Sequence, residues 1–91
     1  MSLKVGLIGC GGIATFHVPG WEKAGAELVC VCDIDASRAQ SFAEKHGISQ
    51  WTTDPNAIFD NAEIGVVDVT TITSAHKSLC LGAIKAGKAV I

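Results

Sequence analysis

Three glycines in four positions stand directly behind an apolar run, in the stretch Gly9-Cys10-Gly11-Gly12-Ile13-Ala14. Gly9, Gly11 and Ala14 match the spacing G-x-G-x-x-A, and each small residue has a physical task. Gly9 permits a tight turn off a strand, and Gly11 carries no side chain to hold a pyrophosphate away from the backbone. Ala14 lets a helix pack closely on the strands. The N-terminus of that helix presents free N–H groups and the positive end of its dipole to phosphates. Glycine-rich turns also arise for steric reasons alone, so the spacing needs a second witness. That witness is an acid about 20 positions on, at the end of the next strand. Asp33 ends the apolar run Glu27-Leu28-Val29-Cys30-Val31-Cys32 and meets the requirement.

The Asp33 carboxylate can accept hydrogen bonds from the hydroxyls of an adenosine ribose, and it would repel a 2′-phosphate. NAD is therefore favoured over NADP. The blander readings of Asp33 are a solvated turn acid or a cap for the next helix; a strand, glycine loop, helix, strand and acid all in register weigh against them. Arg38 divides evenly between an ordinary exposed helix residue and a cation that binds a 2′-phosphate or stacks on adenine. The second role keeps NADP within the reading.

These residues need elements to position them, and the hydrophobic periodicity supplies an order. Residues 3–8 read as a buried strand, 13–24 as a helix stopped by Gly25, and 27–32 as a second strand. Pro19 lies inside the first helix, where the lost donor predicts a kink or an early break. Residues 36–46 read as a helix stopped by Gly47, and 48–52 as a weak strand. Asp54-Pro55 signals a short helix to about residue 61. A β-branched strand follows over 64–71, then a helix from 74 or 75 to 86 stopped by Gly87, and a fifth strand over 88–91. Strands apolar on both faces, alternating with helices, require a parallel sheet covered on both sides. The expected fold is α/β and Rossmann-like, with strand order 3-2-1-4-5.

Composition sets the outer limits. Ninety-one residues make one small domain, 48% hydrophobic and 18% charged, with a net charge of −2. Without a basic cluster, binding to nucleic acid through phosphate neutralisation is not expected. No uninterrupted apolar stretch is long enough for a bilayer, and the N-terminus lacks the parts of a signal peptide. Cys10, Cys30, Cys32 and Cys80 show no metal-ligand spacing and read as small hydrophobes in a reducing cytoplasm. His17 and His46 read as helix-surface or helix-packing residues with no acid at a telling distance, and Trp21 and Trp51 as packing residues.

Three blocks, VGLIGCGGIA, AGAELVCVCDIDASRAQSFAEKHGI and VVDVTTITSAHKSLCLGAIKAGKAVI, resemble the Gfo/Idh/MocA oxidoreductases over essentially the whole chain. The third is the specific one. Thr71 and His76 match that family's Thr-Pro-x-x-x-His turn, while Ile72 stands where proline is expected. The resemblance implies a dinucleotide cofactor held by Gly9, Gly11, Gly12, Ile13 and Ala14 from the loop and by Asp33, Ile34 and Arg38 after the second strand. It adds Thr71, Ile72 and His76 from the late turn. His76 is expected to line the cofactor or serve the structure rather than transfer a proton; the bland alternative is a first-turn histidine satisfied by backbone or water.

In that family the fifth strand runs into Glu-Lys-Pro, whose lysine is implicated in catalysis, and a substrate domain follows. The resemblance thus implies that residues 1–91 are the N-terminal cofactor-binding part, truncated after the fifth strand and without a catalytic residue. The parent reaction would be hydride transfer between a nicotinamide cofactor and a sugar or polyol hydroxyl. The alternative is a stand-alone nucleotide-sensing or engineered half-Rossmann module with no enzymatic role. An exposed fifth-strand edge carrying Ala89, Val90 and Ile91 predicts a homodimer.

Overall fold

The computed structural model describes residues 3–71 and 75–91. The chain runs β1 (Lys4–Ile8), α1 (Gly12–Lys23), β2 (Glu27–Cys32), α2 (Ala36–His46), β3 (Gln50–Thr52), α3 (Asn56–Phe59), β4 (Val66–Val69), α4 (His76–Lys85) and β5 (Ala89–Val90). The sheet is parallel throughout, in the order β3-β2-β1-β4-β5. This is the expected Rossmann-like topology. Among the described residues no helix is long and apolar enough to cross a membrane.

The sheet buries both faces because its central strands are apolar on both. Leu7 and Val31 point towards α1 and α2, where they meet Ala14, Val18, Phe42 and Ala43. Ile8, Cys30, Cys32, Val67 and Val69 point the other way, against Ile58, Ile64 and Ala83. Each large side chain buried in these layers contributes about 1.5–3 kcal/mol by leaving water.

Helix ends follow local chemistry. Asp35 caps α2 by accepting the Arg38 amide at 3.2 Å, and Gly47 ends it with φ 68°. Asp54 accepts the Asn56 amide at 3.0 Å ahead of α3. Several expectations are corrected. The early break at Pro19 does not occur: α1 continues through it, with Pro19 on the exposed side, where solvent can satisfy the carbonyl that the proline leaves without a donor. β3 begins at Gln50 instead of residue 48, because the Ile48 amide is spent on the Ala43 carbonyl that closes α2. β4 starts at Val66 instead of residue 64, since the Ile64 amide closes a turn onto Asn61.

Register decides where the site lies. Ile8 pairs with Cys32 on one side and with Val69 on the other. The three strand ends are therefore level, and Gly9, Asp33 and Thr70 leave the same edge of the sheet side by side.

Candidate dinucleotide site

Gly9 is demanded by the fold itself. Its φ is 101°, and a Cβ there would stand 2.8 Å from Thr70 Oγ1 and 3.1 Å from the Thr71 nitrogen. The Thr70 hydroxyl lies within hydrogen-bond reach of the Ile8 and Gly9 carbonyls, latching the turn to β4. Gly11 is different. Its φ is −89°, open to any residue, and a Cβ there would meet nothing within 4 Å. Neither backbone conformation nor packing within the chain accounts for a glycine at this position. The open side leaves bare backbone for any group that approaches from outside. Gly11 also caps α1 without any side-chain bond, so the first-turn N–H groups of that helix remain available to an anion.

Asp33 is buried, with 7% of its surface exposed. Its Oδ2 accepts the Cys10 amide at 2.9 Å and its Oδ1 accepts the Asp35 amide at 2.9 Å. It is neither a solvated turn acid nor the α2 cap, a task that falls to Asp35. Ser37 and then the Arg38 amide, bonded to the Asp35 carboxylate, hold its pKa below the usual value. Arg38 Nη1 lies 3.8 Å from Asp33 Oδ2, close enough for attraction and too far for a hydrogen bond.

Two clefts meet at Asp33. One, of about 380 Å3, is lined by the glycine loop, Ile13, Thr70 and Thr71. The other, of about 490 Å3, is walled by Ile8, Ile34, Pro55 and Leu79. Gly9, Asp33, Arg38 and Thr71 border both. The pair suits an elongated ligand that is anionic at the helix, hydroxylated at the carboxylate and flat and apolar beyond it.

The sequence-derived residues divide as follows. Gly9, Gly11, Gly12, Ile13, Asp33, Ile34, Arg38 and Thr71 line the clefts. Ala14 lies fully buried beneath them, packed on the sheet. Ile72 falls outside the described residues. Among the described residues Ala75 and Leu79, and not His76, are the parts of this segment that line a cleft. His76 Nδ1 and Nε2 are 3.7 and 4.0 Å from Cys80 Sγ, one helical turn on. Thr70, Pro55, Leu79 and the Cys10 amide were missed. Asp54-Pro55 was legible as a helix start but not as a cleft wall.

Cys10 sits in the loop without nucleophilic character. Burial, and then the Asp33 carboxylate, push its thiol up to about 12. Cys32 is likewise pushed up to about 12 by burial, then by Cys30, Asp33 and Asp54. Both remain neutral small hydrophobes, as read from the sequence.

The reading of His17 and Trp21 is corrected. His17 Nδ1 lies 2.7 Å from Asp68 Oδ2, and Trp21 Nε1 donates to the same oxygen at 2.8 Å. The acid is 51 residues from His17 along the chain, beyond any local pattern. His46 does pack within its helix, its ring 4.4 Å from that of Phe42. Trp51 is partly exposed on the β3 edge.

A family model described as an oxidoreductase family with an NAD-binding Rossmann fold matches residues 3–91. The chain is 35% identical over 89 residues to D-apiose dehydrogenase of Paraburkholderia graminis, covering 97% of this chain and 24% of that protein. It is 40% identical to an inositol 2-dehydrogenase of Saccharopolyspora erythraea, covering 99% and 27%. The chain thus spans about a quarter of the length of the curated relatives it matches. An Agrobacterium radiobacter oxidoreductase solved with NAD+, L-tartaric acid and magnesium superposes with a TM-score of 0.91 at 28% identity, covering 99% of this chain and 27% of that one. Levoglucosan dehydrogenase with NADH gives 0.92 at 25% identity and the same coverage.

Proposed function

Because this chain belongs to the Gfo/Idh/MocA oxidoreductase family, we propose that it binds the adenosine and pyrophosphate portion of NAD in the two joined clefts. The pyrophosphate lies over Gly11 and the α1 N-terminus, the ribose hydroxyls on Asp33, and adenine among Ile34, Pro55 and Leu79. The observation that carries this reading is Gly11, a glycine that the fold does not need and that faces open space. Asp33 sets the preference for NAD, since its buried carboxylate would repel a 2′-phosphate. Arg38 tempers that preference.

In the reaction of a longer enzyme, a bound nicotinamide supplies the hydride-carrying group for a sugar or polyol hydroxyl. The residues of this chain bind and orient; residues 1–91 by themselves are inactive. D-apiose and inositol dehydrogenases among the relatives support that substrate class. Titration with NADH, followed by fluorescence, tests the reading. Saturable binding is expected, with weaker binding of NADPH; no binding of either at millimolar ligand overturns it.

As an isolated chain the module pairs with a second copy along β5. Its outer edge has no partner strand among the described residues, and Ile91 beside it is 65% exposed. The free cysteines fit a cytoplasmic setting.

A further inference from the structure

We propose that Asp68 is the positioning residue of the phosphate-binding helix, acting through His17 and Trp21. The inference rests on the reading that the α1 N-terminus receives the pyrophosphate. Its physical basis is the weak apolar hold on α1. Of its twelve residues only Ala14 and Val18 are buried, both of modest size, while Phe16 is 82% exposed. A helix so lightly anchored needs another constraint if its first turn is to keep its position.

Asp68 provides it. The residue stands on β4 opposite Leu7, on the face covered by α1, and is 1% exposed. One oxygen, Oδ2, gathers both contacts from the helix: His17 Nδ1 at 2.7 Å and Trp21 Nε1 at 2.8 Å. The Trp21 bond runs from helix to strand, and an ionised Asp68, which only accepts, takes the His17 contact in the same sense. His17 and Trp21 are four apart and lie on one side of α1, so the two bonds fix its rotation as well as its distance from the sheet. The other oxygen, Oδ1, is buried without a hydrogen-bond partner among the described residues. The carboxylate is therefore compensated almost wholly by α1, and displacing the helix would leave both oxygens unpaired in the interior.

The two glycine-loop anchors, Thr70 and Asp33, hold the turn before the helix; Asp68 holds the helix itself. Movement of α1 would shift the N–H groups of its first turn relative to Asp33 without altering any residue that touches the ligand.

The test compares the parent chain with Asp68→Asn, which keeps an oxygen acceptor, and Asp68→Val, which keeps strand character and removes it. Residue-resolved amide hydrogen exchange without ligand is the first readout. Exchange through residues 12–23 is expected to rise about tenfold or more in Asp68→Val while α2 and α4 keep their protection. Asp68→Asn is expected to stay within about threefold of the parent. NADH affinity well below each melting temperature is the second readout, with Kd rising about tenfold in Asp68→Val and little in Asp68→Asn. Ile58→Val, on the opposite face of the sheet, is the control. It lowers the melting temperature and moves neither readout, which separates positioning from stability.

Unchanged exchange in Asp68→Val overturns the inference, and so does faster exchange with unchanged Kd. A parent chain that fails to bind NADH overturns the cofactor reading instead, and exchange alone then decides whether Asp68 anchors α1. If Asp68→Val does not fold, His17→Leu and Trp21→Phe, each deleting one donor, carry the same comparison.

Discussion

Asp33 Oδ2 accepts the Cys10 amide at 2.9 Å, tying the end of β2 to the turn that follows β1. With Oδ1 held by the Asp35 amide, the carboxylate is fixed in rotation before any ligand arrives. Each oxygen keeps a lone pair for a hydroxyl, so the group that orders the loop can also receive a ribose. Ordering the side chain in the free protein reduces the entropic cost of binding.

Replacing Asp33 therefore acts on stability and affinity together. Asp33→Ala leaves the Cys10 and Asp35 amides without their acceptor and is expected to cost about 1–3 kcal/mol, read by urea denaturation. NADH affinity falls about tenfold or more in the same variant, measured by calorimetry below its melting temperature. Asp33→Ser removes the charge and shifts the preference towards NADPH; adding Arg38→Ala cancels that shift. An unchanged NADH to NADPH ratio in Asp33→Ser would count against the discriminating role.

Gly9 and Gly11 separate in the opposite sense. Gly9→Ala forces an L side chain to φ 101° against Thr70, and about 1–3 kcal/mol of stability is lost. Gly11→Ser places a better N-cap at an extended position with open space, so stability is kept or gains a few tenths of about 1 kcal/mol. NADH binding is nevertheless lost, because the added side chain stands where the phosphates lie. Intact binding in Gly11→Ser, by fluorescence titration, would contradict this assignment.

The buried thiols make the fold sensitive to alkali. Cys10 and Cys32 stay protonated in the folded chain up to about 12, against an ordinary thiol value of 9.0. Between those values the unfolded state releases protons that the folded state retains, so stability present below pH 9.0 is lost as pH rises towards 12. Each thiol contributes a slope of about 1.4 kcal/mol per pH unit in that window. Cys10→Ala reduces the slope by one thiol, a change visible in denaturation midpoints measured above pH 9.0.

The β5 edge makes the fourth expectation. The Ala89 and Ile91 amides bond to the Gly65 and Val67 carbonyls, at the start of β4 and within it, so the Val90 amide points away from that strand. Val90→Pro removes that outward donor and spares the ladder, and is expected to convert a dimer of the isolated chain into a monomer. Light scattering on both chains decides the matter; a monomeric parent at high concentration would rule out the edge pairing.

Much of this architecture was legible because its signals are local. Apolar runs of 4–6 residues, glycine stops and the Asp54-Pro55 start depend on neighbours along the chain, and their boundaries moved by only a few residues. The shortening of β3 has the same kind of cause: Ile48 had to choose between a strand and the end of α2, and the helix took its amide. His76 was placed by resemblance; among the described residues its neighbours Ala75 and Leu79 are the ones that line a cleft.

The sequence by itself determined the order of elements, the parallel sheet and the pairing of the glycine loop with Asp33, because periodicity and right-handed crossovers leave few alternatives. Only the tertiary structure decided that Asp35 caps α2 while Asp33 turns inward, that the two clefts join, and that Asp68 meets His17 and Trp21. Those outcomes depend on which strand ends come level and which helix face lands on β4. Such contacts join residues as much as 62 positions apart, a separation at which no pattern of neighbouring side chains carries information.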